Sequence, residues 1–182
     1  MSHLTGKRVA FVATHGFEDS ELTEPLRAIQ EHGGAAEVIS TKPGTIHGKK
    51  GSEVPVDRTS AEARAEDYDA LVLPGGTSNG DQIRMDEDAV ALVRAFFDQQ
   101  KPVGAICHGG WILTDADVLR GRTVTSYPSL RTDLRNAGAT WVDQEVVVDQ
   151  GLVTSRTPED LPAFNAKLVE EIAEGRHPRA GA

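Results

Sequence analysis

Residues 101–113 read Lys-Pro-Val-Gly-Ala-Ile-Cys-His-Gly-Gly-Trp-Ile-Leu and contain the chain's one cysteine, Cys107. After the Lys101-Pro102 turn, Val103, Ala105 and Ile106 form a short apolar run that predicts a buried strand. Gly109 and Gly110 follow, then an apolar run able to start a helix. A strand that turns sharply into a helix exposes the residue at the corner and aims its side chain at unpaired backbone N–H groups. That is the logic of a nucleophile elbow, here with cysteine at the corner. The positive end of a helix favours negative charge, so this reading predicts a thiol that loses its proton more easily than usual.

Outward from this stretch the pattern alternates. Arg8–Ala13 reads as a central strand, the loop Thr14–Glu21 follows, and a helix is predicted over Glu21–His32, stopped by Gly33-Gly34. Ala36–Ser40 is a second strand. Glycines and Pro55 break Pro43–Arg58 into a hairpin or edge excursion. Tyr68–Leu73 is a buried strand running into Pro74-Gly75-Gly76, where backbone can come close to a neighbour. Thr77–Gln82 reads as a polar loop, and Glu87–Gln100 as a helix with Val90, Val93 and Phe97 on one face. Beyond the elbow come a strand at Thr123–Ser126 and a short helix at Leu130–Ala137. A hairpin over Glu145–Ser155 turns at Gln150-Gly151. The last helix starts at Thr157-Pro158-Glu159-Asp160, with a threonine cap and first-turn proline. Its apolar face is Leu161, Phe164, Leu168 and Ile172, and Gly175 ends it.

Strands alternating with helices, and strands that are apolar throughout, imply a mostly parallel sheet covered on both faces. Such sheets bind beyond the carboxyl ends of their strands. Three strand ends fall in that layer: Thr14–Glu18, Pro74–Gly76 and Cys107-His108. At 182 residues, one domain over 1–182 is expected, with its core at about 7–174 and a loose tail at 175–182.

A net charge of −9 argues against nucleic acid and anionic membrane as partners. One cysteine cannot close an internal disulfide, and it and the scattered histidines give no paired zinc-ligand spacing, so no metal and no cofactor are expected. Residues 1–7 lack the apolar core of a signal peptide, and no run is long enough to span a membrane. The expected location is the cytoplasm.

The chemistry centres on Cys107, although a free cysteine can also be a small buried hydrophobe. His108 could take the thiol proton or stabilise the thiolate, or it could only shape the turn. Glu18, in the loop after the first strand, could donate a hydrogen bond to the thiolate when protonated or act as a base when ionised; Asp19, Glu21 and Glu24 compete for that role. The Gly75-Gly76 pair could offer N–H donors to an oxyanion, or simply turn the chain. His15, Trp111 and Tyr127 could line a pocket or be ordinary packing. A glutamine amidotransferase would need a His-x-Glu pair near the C-terminus. Past Cys107 the only histidines are His108 and His177, and Pro178-Arg179 follow the latter, so that reading loses its base.

The chain resembles the DJ-1/PfpI superfamily, and within it the PfpI-like branch of intracellular protease I and general stress proteins, over roughly Lys7–Ile172. The resemblance rests on Gly16-Phe17-Glu18-Asp19-Ser20-Glu21, Tyr68-Asp69-Ala70-Leu71-Val72-Leu73-Pro74-Gly75-Gly76 and Ala105-Ile106-Cys107-His108-Gly109. Thr125-Ser126-Tyr127-Pro128, Trp141-Val142-Asp143 and Ser155-Arg156-Thr157-Pro158 add to it. It implies a flavodoxin-like three-layer α/β/α sandwich, related to the class I glutamine amidotransferase fold, with Cys107 in a strained backbone conformation at the elbow. It also implies that Glu18 hydrogen-bonds the thiol, that His108 is catalytic, and that Asp81 of a neighbouring subunit completes the site in a homodimer or larger ring. Two departures stand out: Gly110 where many members have proline, and Gly80 before the acid. The implied function is cysteine-dependent stress protection against reactive carbonyls or early glycation adducts, of deglycase or glyoxalase type. The expected substrates are small carbonyl compounds or glycated or unfolded proteins. Alternatives are an intracellular cysteine peptidase with a shared triad, and a redox sensor or chaperone oxidised at Cys107.

Overall fold

Val9, Phe11 and Ala13 belong to one buried cluster and Ala10 and Val12 to another, so a single strand feeds two cores. The same split separates Ala70 and Val72 from Leu71 and Leu73. Side chains alternate across a strand, so apolar residues on both faces require cover on both faces. The structure, a computed structural model, describes residues 3–178.

The elements in chain order are β1 Arg8–Val12, α1 Asp19–Glu31, β2 Ala35–Ser40, β3 Thr45–His47, β4 Glu53–Pro55, β5 Arg58–Thr59, β6 Ala70–Leu73, α2 Thr77–Ile83, α3 Glu87–Asp98 and β7 Val103–Ile106. They continue with α4 Ile112–Asp115, β8 Thr123–Val124, α5 Arg131–Asn136, β9 Thr140–Trp141, β10 Val147–Asp149, β11 Leu152–Ser155 and α6 Leu161–Glu174. The main sheet runs β10-β11-β7-β6-β1-β2-β5 and is parallel except where β10 pairs with β11. Helices α1 and α6 contribute Leu22, Ile29, Phe164, Leu168 and Ile172 to the core on one side. Helices α3, α4 and α5 contribute Leu92, Val93, Phe96, Ile112, Leu113 and Leu134 on the other. This is the flavodoxin-like sandwich.

Adjacent β11, β7, β6 and β1 point the same way, with Ser155 beside Ile106, Ala105 beside Leu73, and Val72 beside Phe11. The segments that leave their carboxyl ends are therefore neighbours: Arg156-Thr157, Cys107-His108, Pro74–Gly76 and Thr14–Glu21. Crossovers diverge between β1 and β6, the place where such sheets open a crevice.

Several local expectations are revised. Residues 77–82 are not a loop but most of α2. Buried Asn79 ties that helix down: its Nδ2 donates to the Pro74 and Gly75 carbonyls at 3.0 Å each, and its Oδ1 accepts the Thr14 N–H at 2.7 Å. Helix α3 buries Ala89, Leu92, Val93 and Phe96, whereas Val90 and Phe97 are only half-buried. After Cys107 the chain makes a 3₁₀ turn, Cys107–Gly110, before the short α4. Thr157 precedes α6 but caps nothing with its side chain. Strand β8 pairs with β9 outside the main sheet. The tail is not loose at His177, whose N–H donates to the Gln100 carbonyl at 2.9 Å and whose Nε2 meets Glu171 Oε2 at 2.9 Å; residues 179–182 lie outside the described residues.

Candidate active site

Cys107 sits at φ 60°, in the left-handed region that a residue with a Cβ adopts only at a cost. Strand β7 ends at Ile106 and the 3₁₀ turn begins at Cys107, so the strain falls at the predicted corner. Cys107 is 8% exposed and lines a cavity of about 530 Å³. Glu18, Lys49, Gly76, Thr77, His108, Tyr127, Ser129 and Glu159 are among the other lining residues.

The carboxyl beside the thiol belongs to Glu21, not Glu18. Glu21 is fully buried, and its carboxyl and the Cys107 side chain flank the same point: both Glu21 Oε1 and Cys107 Cβ lie within 2.7 Å of where a Cβ on Gly75 would sit. Its Oε1 accepts the Gly75 N–H at 3.0 Å, while Oε2 is buried with no hydrogen-bond partner among the described residues. Burial first, then the charge of Glu18, pushes Glu21 up from 4.5 to about 8, against the pull of the Gly75 N–H. At neutral pH Glu21 is therefore protonated and can donate from Oε2 to sulfur. Glu18 instead meets Lys50 Nζ at 2.7 Å and Lys49 Nζ at 3.0 Å. Burial would raise its carboxyl, but hydrogen bonds and charge from Lys50 and Lys49 outweigh burial and hold it below its ordinary value. The expectation that Glu18 hydrogen-bonds the thiol is thus corrected: its carboxylate is turned to the lysines.

The thiol itself is not simply acidified by a helix end. Burial first, then the Glu21 charge, pushes it up from 9.0 to about 12, against hydrogen bonds from the backbone N–H groups of His108 and Gly76. Cysteine and glutamate lie in one small volume, and a charge on either opposes a charge on the other, so they titrate as a pair. A proton on Glu21 removes the main charge opposing the thiolate and supplies it with a donor.

Gly75 and Gly76 divide the work. The Gly75 N–H is committed to Glu21, so it is not the oxyanion donor suggested by its sequence. A Cβ at Gly75 would lie 2.3 Å from Glu21 Oε1 and 2.7 Å from Cys107 Cβ, so only glycine lets the carboxyl and thiol approach. The Gly76 N–H instead points at the sulfur.

His108 is 7% exposed, and its Nδ1 lies 3.4 Å from Cys107 Sγ. Its Nε2 lies 3.3 Å from Ser129 Oγ. Burial, then the Lys49 charge, holds the ring below its ordinary value. Tyr127 stacks on it at 4.7 Å, and Trp111 meets it edge-on at 6.0 Å without lining the cavity. His15 is away from the cavity: it is exposed, stacks on His47 at 5.5 Å, and accepts the His47 N–H at 3.1 Å. Asp81 is exposed on α2 and does not line the cavity of its own chain. Gly80 packs against the elbow, where a Cβ would lie 2.7 Å from the His108 carbonyl oxygen.

The sequence left Glu21 as one of several competing acids and missed two further features. Glu21 shares the buried face of α1 with Leu22, Pro25 and Ile29, a helical pattern that could have singled it out. Lys49 and Lys50 come from the β3–β4 hairpin, held to the elbow side by the Asp19 carboxylate, which accepts the Lys50 and Ser52 N–H groups at 2.9 and 2.8 Å. Ser129 and Glu159 follow no spacing rule. Among the described residues, Glu171, Glu174 and His177 place ligand atoms within 4.8 Å of one another, apart from this cavity. No helix among the described residues is long and apolar enough to cross a membrane.

Comparison with known proteins agrees with the fold. The profile of the DJ-1/PfpI family matches residues 7–171. General stress protein 18 of Bacillus subtilis is 51% identical over 163 residues, covering 88% of this chain and 94% of that protein. A deglycase from Pyrococcus horikoshii is 46% identical over 163 residues, covering 90% and 98%. The crystal structure of a ThiJ/PfpI domain protein from Brachyspira murdochii superposes with a TM-score of 0.88 at 27% identity, covering 94% of this chain and 98% of that one.

Proposed function

The chain belongs to the DJ-1/PfpI family, and on that premise we propose that it is a cysteine-dependent stress-protection enzyme acting on reactive carbonyls or early glycation adducts. The observation that carries this reading is the strained Cys107, with a neutral buried carboxyl on one side and a histidine on the other. Carbonyl chemistry needs a thiolate and groups that hand a proton back and forth, and this arrangement supplies both. The deglycase name of the Pyrococcus relative, nearly half identical over almost its whole length, supports the same choice.

For an adduct of an amine with methylglyoxal, the Cys107 thiolate forms a C–S bond to the carbinol carbon as the C–N bond breaks. The amine leaves with a proton. A proton then shifts from that carbon to the neighbouring carbonyl carbon while the carbinol hydroxyl proton passes to the carbonyl oxygen, giving a lactoyl thioester. Water cleaves the C–S bond, releasing lactate and returning the thiolate. Glu21 and His108 are the groups placed to carry the protons. The site requires no metal or organic cofactor for these steps.

The test is to incubate the protein with methylglyoxal-treated N-acetyl-lysine, and separately with an unfolded protein, alongside Cys107→Ser. Cys107-dependent release of lactate and free amine is expected. Peptide fragments without lactate would instead favour a peptidase. Neither product, together with rapid peroxide oxidation of Cys107, would favour a redox sensor.

A further inference from the structure

We propose that Ser129 is the positioning residue that sets the tautomer of His108. The inference rests on the reading of Cys107 as the reactive thiol.

The two ring nitrogens face different partners. Nδ1 lies 3.4 Å from the Cys107 sulfur, and Nε2 lies 3.3 Å from Ser129 Oγ. For Nδ1 to receive the thiol proton it must present a lone pair, so the ring's one hydrogen must sit on Nε2. A hydroxyl oxygen at Nε2 accepts that hydrogen. When the S–H bond breaks and an Nδ1–H bond forms, the Nε2–H bond is kept. The resulting imidazolium then holds the thiolate through Nδ1 and Ser129 through Nε2.

The fold places Ser129 for this. It is the middle residue of the 3₁₀ turn Pro128–Leu130, and the turn is fastened to the elbow through Tyr127. The Tyr127 N–H donates to the Cys107 carbonyl at 3.2 Å, and its ring stacks on the imidazole. Leu130, buried at the other end of the turn, donates its N–H to the Tyr127 carbonyl at 3.0 Å. Backbone, ring and hydroxyl thus bind one segment to one histidine. Because serine is uncharged, it orients the ring without greatly strengthening its basicity. The ring therefore stays low, as burial and Lys49 dictate. Cys107, Glu18, Glu21, Lys49 and Glu159 are the other ionisable or charged groups around the same cavity, with Tyr127 against the ring.

The experiment is the rate of Cys107 alkylation by iodoacetamide across pH, which reads the thiolate without any substrate. Ser129→Ala should slow alkylation near neutral pH by about tenfold, the weight of one hydrogen bond to a charged group. It should also move the inflection of the profile to higher pH. Ser129→Thr, which keeps the hydroxyl, should restore both to within about twofold. Nitrogen-15 spectra of the ring should show Nε2 protonated in the wild type and a mixed tautomer in Ser129→Ala. A wild-type profile in Ser129→Ala would overturn the proposal. So would an equal loss in Ser129→Ala and Ser129→Thr, or a silent Ser129→Ala beside an Asp81→Asn that slows alkylation. If the alkylation results come out as expected but no lactate is formed, the proposed reaction fails while the role of Ser129 stands.

Discussion

Glu21 and Cys107 come from different elements, a helix and the end of a strand, and lie together in the interior because Gly75 between them has no side chain. A carboxyl in such a place keeps its proton because ionising it would strand a charge away from water. The site is therefore best described as a thiol–carboxyl pair in which each group resists ionising beside the other. The backbone N–H groups of His108 and Gly76 favour negative charge on the sulfur. The Glu18 carboxylate, neutralised by two lysines, forms the wall of the cavity.

Stability should follow the proton on Glu21. Its folded-state value, about 8, lies above the ordinary 4.5, so the neutral form is the one that folding favours. This contribution is fully present below the unfolded value and is lost as pH rises through the folded one. Melting curves from about pH 5 to about pH 9 should show the wild type losing on the order of a few kcal/mol relative to Glu21→Gln, which carries no such charge. Parallel curves for the two proteins would contradict a buried neutral carboxyl.

Gly75→Ala should damage both fold and chemistry. The added methyl would fall 2.3 Å from Glu21 Oε1 and 2.7 Å from Cys107 Cβ. Relieving that overlap should cost about 2 kcal/mol. It should also separate the pair, so the thiol loses reactivity even at temperatures where the protein is folded. Denaturant titration and iodoacetamide kinetics on the same preparation check both halves.

Asn79→Ala removes the knot under the site. Three backbone groups, the Thr14 N–H and the carbonyls of Pro74 and Gly75, lose their side-chain partner. A loss of roughly 3 kcal/mol is expected from such buried groups. Increased hydrogen exchange should follow in residues 74–83. An unchanged midpoint in urea would show that α2 is held by other means.

The parallel sheet and the sharp corner at Cys107 were legible because both announce themselves locally. Val103–Ile106 is a short apolar run bounded by a turn, and the glycine after His108 marks a close approach, since a Cβ at Gly109 would lie 2.1 Å from the Leu73 carbonyl oxygen. Glu21 was less visible, since an acid in the first turn of a helix is usually there for the dipole. Its partnership with Cys107 depends on how α1 is rotated against β7, which only the packing of Leu22 and Ile29 decides. Helix α2 was hidden for a related reason: its sequence, Thr-Ser-Asn-Gly-Asp-Gln-Ile, has low helix propensity, and tertiary hydrogen bonds from Asn79 hold it. Lys49 and Ser129 reach the cavity from a hairpin and a turn distant in sequence, and no spacing rule encodes such a meeting.

The most direct measurement is the pH dependence of Cys107 alkylation in wild type, Glu21→Ala, Glu21→Gln and Glu18→Ala. Glu21→Ala should slow the reaction at neutral pH by about tenfold, because the thiolate loses its donor. Glu21→Gln, which keeps an N–H donor and removes the competing charge, should remain within about threefold of wild type. Glu18→Ala should also stay within about threefold, since a carboxylate paired with two half-exposed lysines is largely screened. A Glu18→Ala profile shifted as far as that of Glu21→Ala, or a Glu21→Ala profile matching wild type, would contradict the assignment of Glu21 as the partner of the reactive thiol.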